Sequence, residues 1–150
     1  MKYLLLIYAN EAAMQSASQK ATGEASGGLA YDAGTNKWSG VGFSADEKFV
    51  LQLKFVESKT DSYGTFDAYN VSIKALGTSL PSICHPIFDM NQATVSVYSR
   101  GRIVCSADLQ DYTFDLVRNR FVEVYTFGYL ENAGTKDNPA VVGGTCTKIE

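Results

Sequence analysis

Hydrophobic and polar residues alternate with a period of two along residues 49–55 and 69–75. Successive side chains of a β-strand point to opposite faces, so this alternation predicts two half-buried strands. The positions expected to be mostly buried are Phe49, Leu51, Leu53, Phe55, Val71 and Ile73. Gln52 and Lys54, which lie between them, are expected to be exposed.

Turn-forming residues divide the rest of the chain into hairpins. Residues 32–36 separate two short strands, at 29–32 and 37–43, and predict the first hairpin. Arg100-Gly101 predicts a tight turn within residues 94–107, because the glycine tolerates the positive φ that such turns require. In that hairpin Ser96 would face Cys105.

Two further elements complete the chain. Alternation at residues 112–116 and again at 121–130 predicts a third hairpin. A last strand, residues 140–149, is interrupted by Gly143-Gly144, which predicts a bulge or an edge position.

Regularly spaced turns and the lack of a convincing helical pattern predict an all-β protein. We expect an antiparallel β-sandwich or a small β-barrel built from successive hairpins, and the pattern is compatible with both. Strands should hold at least a third of the residues, and no helix after residue 30 should exceed about three turns.

The first 28 residues differ in composition from the rest. Lys2, the apolar run 3–9 and then Ser16-Ala17-Ser18 fit either a short signal peptide or a first β-strand. Asn10 can cap a short helix, and the small residues up to Gly28 predict a flexible arm that contributes little stability. The predicted organisation is therefore an N-terminal strand or signal remnant with its arm, residues 1–28, followed by a single β domain, residues 29–150.

Charge and hydropathy exclude some partners. The net charge is -3 and the pI about 5.1, and no basic stripe is present, which argues against nucleic acid. No stretch approaches the roughly 20 apolar residues of a membrane-spanning helix, so membrane insertion is not expected. No cofactor-binding motif is present, and we predict no cofactor.

The three cysteines suggest one disulfide and no metal site. Their spacing matches no zinc or redox motif, so no metal is predicted. Cys84 precedes the second hairpin by about one loop, and Cys105 lies within that hairpin. The two can therefore approach within the roughly 5.5 Å between Cα atoms that a disulfide requires, provided that the segment around Cys84 runs alongside. Cys146 would remain free.

No catalytic residue is assigned from the sequence. His85, the single histidine, adjoins Cys84, but adjacent side chains of an extended segment point in opposite directions and do not readily address one substrate. Acidic residues in the loops are not brought together by any local pattern. The feature with a binding character is the aromatic row Tyr125, Phe127 and Tyr129, which could stack on a small molecule or a carbohydrate, although core packing explains it as well.

Two resemblances add expectations. Residues 1–14 are similar to the first strand and turn of YCII-related (DGPF) proteins, a ferredoxin-like family of dimeric α+β barrels, but the D-G-P-F motif is absent and no site residue carries over. Residues 29–150 resemble small uncharacterised exported proteins of alphaproteobacteria. The matching elements are Tyr31-Asp32, Lys37-Trp38-Ser39-Gly40, Tyr69-Asn70-Val71-Ser72-Ile73, Tyr112-Thr113-Phe114-Asp115-Leu116, Asn119-Arg120-Phe121, Asn138-Pro139-Ala140 and Gly143-Gly144-Thr145-Cys146-Thr147-Lys148-Ile149. This resemblance implies a periplasmic or secreted location and no particular activity.

Together these observations favour a non-enzymatic periplasmic or envelope binding module with an aromatic face. The alternative is an enzyme, either a hydrolase that uses loop carboxylates or a ferredoxin-like dimer of the YCII type.

Overall fold

The computed structural model describes residues 17–32, 34–126 and 138–149. In this part of the chain 70% of the residues are in strands and none is in a helix, which confirms the predicted all-β class. The strands are β1 (Ala17–Asp32), β2 (Lys37–Phe43), β3 (Lys48–Asp61), β4 (Gly64–Ala75), β5 (Ser82–Pro86), β6 (Val95–Tyr98), β7 (Arg102–Ala107), β8 (Gln110–Asp115), β9 (Arg120–Tyr125) and β10 (Ala140–Lys148). Residues 1–16, which hold the predicted first strand and most of the predicted helix and signal peptide, lie outside the described residues. Residues 17–20, at the end of the predicted helix, are in β1.

The strands form a closed ring of antiparallel pairings. Eight of them follow one another in the order β1, β3, β4, β5, β7, β8, β9 and β10, and β10 pairs again with β1. The other two strands share an edge with a ring strand. β2 pairs with β1 beyond the end of β3, and β6 pairs with β4 beyond the end of β5. This ring is compatible with a sandwich and with a barrel-like arrangement, the two architectures expected from the sequence.

The core consists of the inward-facing residues of the alternating strands. Leu51, Val71, Ile103 and Phe114 are almost fully buried, and the ring of Phe49 packs edge to face against three other aromatic rings at 5.0 to 6.1 Å between centroids. The predicted burial is confirmed: the apolar positions of β3 and β4 face inward, with Phe55 half-buried against the core, whereas the side chains of the intervening Gln and Lys are exposed.

The first strand differs from its prediction. Residues 17–28, expected to form part of a flexible arm, belong to β1, which pairs with β10 along one edge and with β3 and then β2 along the other. Small residues are needed in β1 because a neighbouring segment of the chain comes close. A Cβ on Gly28 would lie 2.0 Å from the carbonyl oxygen of Pro139. Ala21 is fully buried. The predicted boundary after residue 28 therefore falls inside a strand.

The turn at Gly101 forms, but not the hairpin predicted around it. Gly101 has a positive φ of 64°, and its N–H donates to the carbonyl of Tyr98 at 2.8 Å. The two flanking strands then diverge, since the ladder groups of β6 are taken by β4 and those of β7 by β5 and β8. Cys105 consequently faces Tyr112 and Pro86 across the ladders instead of Ser96.

The other hairpin predictions hold, with one correction in the last strand. The first hairpin, β1–β2, and the third, β8–β9, are formed. β10 is paired along both edges, so it is not an edge strand. The irregularity opposite Gly143-Gly144 lies in β1, between Gly23 and Ala25.

Candidate ligand-binding cavity

A cavity of about 200 Å³ opens at one end of the ring. The β3–β4, β4–β5 and β7–β8 ladders all terminate here, at the pairs Phe49↔Ala75, Ile73↔Ser82 and Ala107↔Gln110. Its buried floor consists of Phe49, Ile73, Tyr112 and Glu123, and its more exposed rim carries both apolar and polar side chains. The lining residues include Glu47, Phe49, Ile73, Ala75, Thr78, Leu80, Ser82, Asp108, Gln110, Tyr112 and Glu123.

The central polar residue of the cavity is Glu123, the only charged residue buried within the described part of the chain. Alternation along β9 places it on the same inward face as Phe121, whereas Val122 between them is 42% exposed. Glu123 is only 5% exposed, and its carboxyl makes no hydrogen bond or ion pair with any described residue. A carboxyl on a buried residue is energetically unfavourable unless solvent or a ligand reaches it, so the place of Glu123 in the cavity requires an explanation.

A second acidic residue lies beside it. Oε2 of Glu47 is buried and has no hydrogen-bond partner among the described residues. The backbone carbonyl of Glu47 accepts the N–H of Gly23 at 2.9 Å, and a Cβ on Gly23 would lie 3.2 Å from Oε2, so the glycine leaves room for the carboxylate. Burial, and then the charge of Glu47, raise the pKa of Glu123 from 4.5 to about 7.

Three hydroxyl groups line the cavity, and each donates its proton to the wall. Tyr112 donates to Oε1 of Gln110 at 2.6 Å, Thr78 donates to the carbonyl of Ala75 at 2.8 Å, and Ser82 donates to Asp108. Burial raises the pKa of Tyr112, so its hydroxyl remains protonated near neutral pH. What these oxygens still offer to the cavity is their capacity to accept a hydrogen bond.

The β7–β8 turn presents Asp108 at the rim. Asp108 and Leu109 have φ of 51° and 66°, the left-handed values of a two-residue hairpin turn with positive φ at both central positions. Leucine seldom adopts such values, so the turn is held by the ladder on either side of it. The acidic side chain is thereby fixed on the side of the turn that faces Ser82.

Glu123 makes the stability of the protein depend on pH. An acid whose pKa is higher in the folded state stabilises the fold fully below its unfolded value, 4.5, and this contribution is lost as the pH rises through about 7. The shift is equivalent to about 3 kcal/mol, which partial hydration at the cavity mouth reduces to about 2 kcal/mol. At about pH 8 the urea concentration at the midpoint of unfolding should therefore be higher for Glu123→Gln than for the wild type. At about pH 4 the two midpoints should be equal.

The matched control is Asp111→Asn, on the outward face of β8. It removes the same charge from an exposed side chain and should preserve the wild-type pH profile of urea unfolding. A Glu123→Gln profile parallel to that of the wild type would contradict a raised pKa at this site.

The residues singled out from the sequence lie elsewhere. Tyr125 is half-buried at the same end of the ring, opposite Gln110 and Ala140, and is not part of the cavity lining. Phe127 and Tyr129, the other members of the predicted aromatic face, lie outside the described residues. His85 lies with Nδ1 3.3 Å from the carbonyl oxygen of Gln92, and it forms no ion pair with a described carboxylate.

The cysteines named from the sequence are bonded to each other. Cys84 and Cys105 form a disulfide with 5.4 Å between their Cα atoms, and Cys146 is a free, buried thiol. Burial raises the pKa of the Cys146 thiol to about 11, so it remains protonated and unreactive at neutral pH.

Glu123 was not predicted as a site residue, although its position in the strand alternation could have indicated it. Alternation along the return strand places Glu123 on the same side as Phe121 and Tyr125, among aromatic side chains. A charged residue at an inward position of a predicted strand is the pattern that identifies such a site.

Within residues 17–32, 34–126 and 138–149, no three or more His, Cys, Asp or Glu residues are grouped so as to hold a metal ion. In the same part of the chain there is no helix with the length and apolar character needed to cross a bilayer. No family model, curated protein or solved structure matches the chain.

Proposed function

We propose that this protein is a non-enzymatic binding module that takes a small ligand in the cavity around Glu123. The observation that supports this proposal is Glu123, a residue that is 5% exposed and lines a cavity, and whose carboxyl has no hydrogen-bond partner among the described residues. Buried polar groups are nearly always paired in native proteins, and a group left unpaired in a cavity is available to a ligand. The side chains of Phe49 and Ile73 supply contact area, and the polar lining residues supply orientation.

The size of the cavity limits its occupant. Sites for drug-sized ligands usually have volumes of roughly 300 to 1,000 Å³. A cavity of about 200 Å³ is smaller, which suits a single functional group with a short apolar stem. Such a group is found both on free small molecules and at the end of larger ones whose stem continues out of the mouth.

Tryptophan substitutions at two neighbouring exposed positions provide a test. Ala75 lines the cavity and is exposed, whereas Leu76 is 54% exposed and does not line it. We expect a set of neutral, anionic and cationic fragments, added singly, to include binders that shift the amide NMR signals of Ser82, Gln110 and Glu123. Ala75→Trp should abolish those shifts by filling the mouth, and Leu76→Trp should preserve them. Shifts that survive in Ala75→Trp, or that occur for no fragment, would overturn the proposal.

A hydrolase is the second candidate. A carboxyl with a pKa of about 7 beside another carboxylate is an arrangement that general acid catalysis uses. The small cavity favours binding over this alternative, because a glycoside or peptide needs a longer groove beside the acid. Turnover of nitrophenyl glycosides or esters that disappears in Glu123→Gln would favour the enzyme.

An exported location is part of the proposal. A disulfide such as Cys84–Cys105 persists mainly in oxidising compartments, which supports a periplasmic or secreted protein.

A further inference from the structure

The acidic lining of the cavity indicates which chemical class of ligand it takes. Three of its lining residues carry carboxyl groups, Glu47, Asp108 and Glu123, and they come from three different elements. A single lining residue, Lys48, is basic, and its side chain is exposed. The field within the cavity is therefore negative when the carboxyl groups are ionised.

The hydrogen-bonding groups of the wall also favour a cation, because most of them are acceptors. The protons of the three lining hydroxyls are donated within the wall, as described above, so their oxygens remain acceptors. Oε2 of Glu47 and the carboxyl of Glu123 add acceptors that no described residue satisfies. The side-chain donors that line the cavity are the amide of Gln110, the ammonium of Lys48 and, below about pH 7, the O–H of protonated Glu123, which becomes purely an acceptor once it is ionised. A complementary ligand carries several N–H donors and a positive charge.

We infer that the cavity binds an organic cation with N–H donors, a guanidinium or a primary ammonium group on a short stem. This inference rests on the proposed function, because it names the ligand of the same cavity. Glu123, which is 95% removed from solvent and unpartnered, would bind the cation directly, and Glu47 would bind it from the β3 side. Phe49 and Ile73 in the floor would contact the stem.

Binding of the cation should increase with pH. The titratable and charged groups that face Glu123 are Glu47 from the loop before β3, Lys48 from β3, Tyr112 from β8 and Asp108 from the β7–β8 turn. Of these, Tyr112 stays protonated, so ionisation of Glu123 itself dominates near neutral pH. Its ionised fraction rises about tenfold between about pH 6 and pH 8, and affinity should rise in proportion.

The experiment titrates the folded protein with methylguanidinium chloride and follows the amide NMR signals of the cavity. Three probes of similar size serve as controls: tetramethylammonium, which is cationic without N–H donors, acetamide, which is neutral, and acetate, which is anionic. Methylguanidinium should bind, tetramethylammonium and acetate should not, and acetamide should bind more weakly. Glu123→Gln should weaken methylguanidinium binding about tenfold, and the exposed Asp111→Asn should leave it unchanged.

The possible outcomes distinguish the inferred cation from the proposed ligand-binding function. Cavity shifts with acetamide or acetate but not with methylguanidinium would overturn the cation and leave the binding cavity in place. Equal binding of methylguanidinium and tetramethylammonium would overturn the role of the N–H donors. An affinity for methylguanidinium that is the same in Glu123→Gln would overturn the assignment of Glu123. No cavity shift with any of the four probes, in either variant or in the wild type, would overturn both proposals.

Discussion

Replacement of Gly144 by alanine should destabilise the protein by about 3 kcal/mol or more. A Cβ at this position would lie 2.2 Å from the backbone carbonyl oxygen of Thr22 and 2.6 Å from the ring of Phe121. Both neighbours are fixed, because one belongs to the backbone of β1 and the other is a core side chain. For a chain of 150 residues, this loss corresponds to a melting temperature lower by about 6 to 12 °C.

The adjacent glycine is the matched control. A Cβ on Gly143 would meet nothing within 4 Å, so Gly143→Ala should change the free energy of unfolding by no more than about 1 kcal/mol. Both variants add one methyl group to the same strand, and only their surroundings differ. Urea unfolding of the two variants checks the prediction, and equal losses would contradict the close approach of β1 and β10.

Removal of the Cys84–Cys105 disulfide should also have a large effect. The bond spans 21 residues, and closing a loop of that size in the unfolded chain contributes about 3 kcal/mol. The double variant Cys84→Ala, Cys105→Ala should therefore melt about 6 to 12 °C below the wild type in differential scanning calorimetry. Cys146→Ala, which removes a buried thiol without opening a cross-link, should cost about 1 kcal/mol.

Thiol labelling provides the check on the pairing itself. Unreduced protein, denatured and alkylated, should carry one label, which peptide mapping should place on Cys146. Three labels would show that the bond is absent, and a label on Cys84 or Cys105 alone would show a different pairing.

The sequence was informative wherever a strand presents one face to the core. Burial follows the alternation over residues 48–55 of β3 and 69–74 of β4. The turns that return the chain at once, between β1 and β2 and between β8 and β9, also agree with the local turn residues. In these elements the local preference and the tertiary packing favour the same structure.

Where the local residue preference conflicts with the tertiary strand pairing, the prediction from sequence was wrong. The Ala, Gly and Ser residues of β1 have low strand preference, and the strand exists because three neighbours pair with it. The Arg100-Gly101 turn resembles a hairpin turn, but the partner of each flanking strand is distant in the sequence. The cavity, likewise, combines residues from five separate segments, which no local pattern relates.

The pairing of β1 with β10 has a consequence for the order of folding. The hydroxyl of Thr145 donates to the carboxylate of Glu24 across a sequence separation of 121 residues, and the ladder beside it joins the two ends of the described chain. Every other link of the ring can form after a shorter loop closes, whereas this one orders a loop of nearly the whole domain. We therefore expect ring closure to be the slow, late step of folding, with the hairpins β3–β4 and β7–β8–β9 formed before it. Until that step the unpaired edges of β1 and β10 are exposed, and they are the edges at which a folding chain of this protein would associate with another.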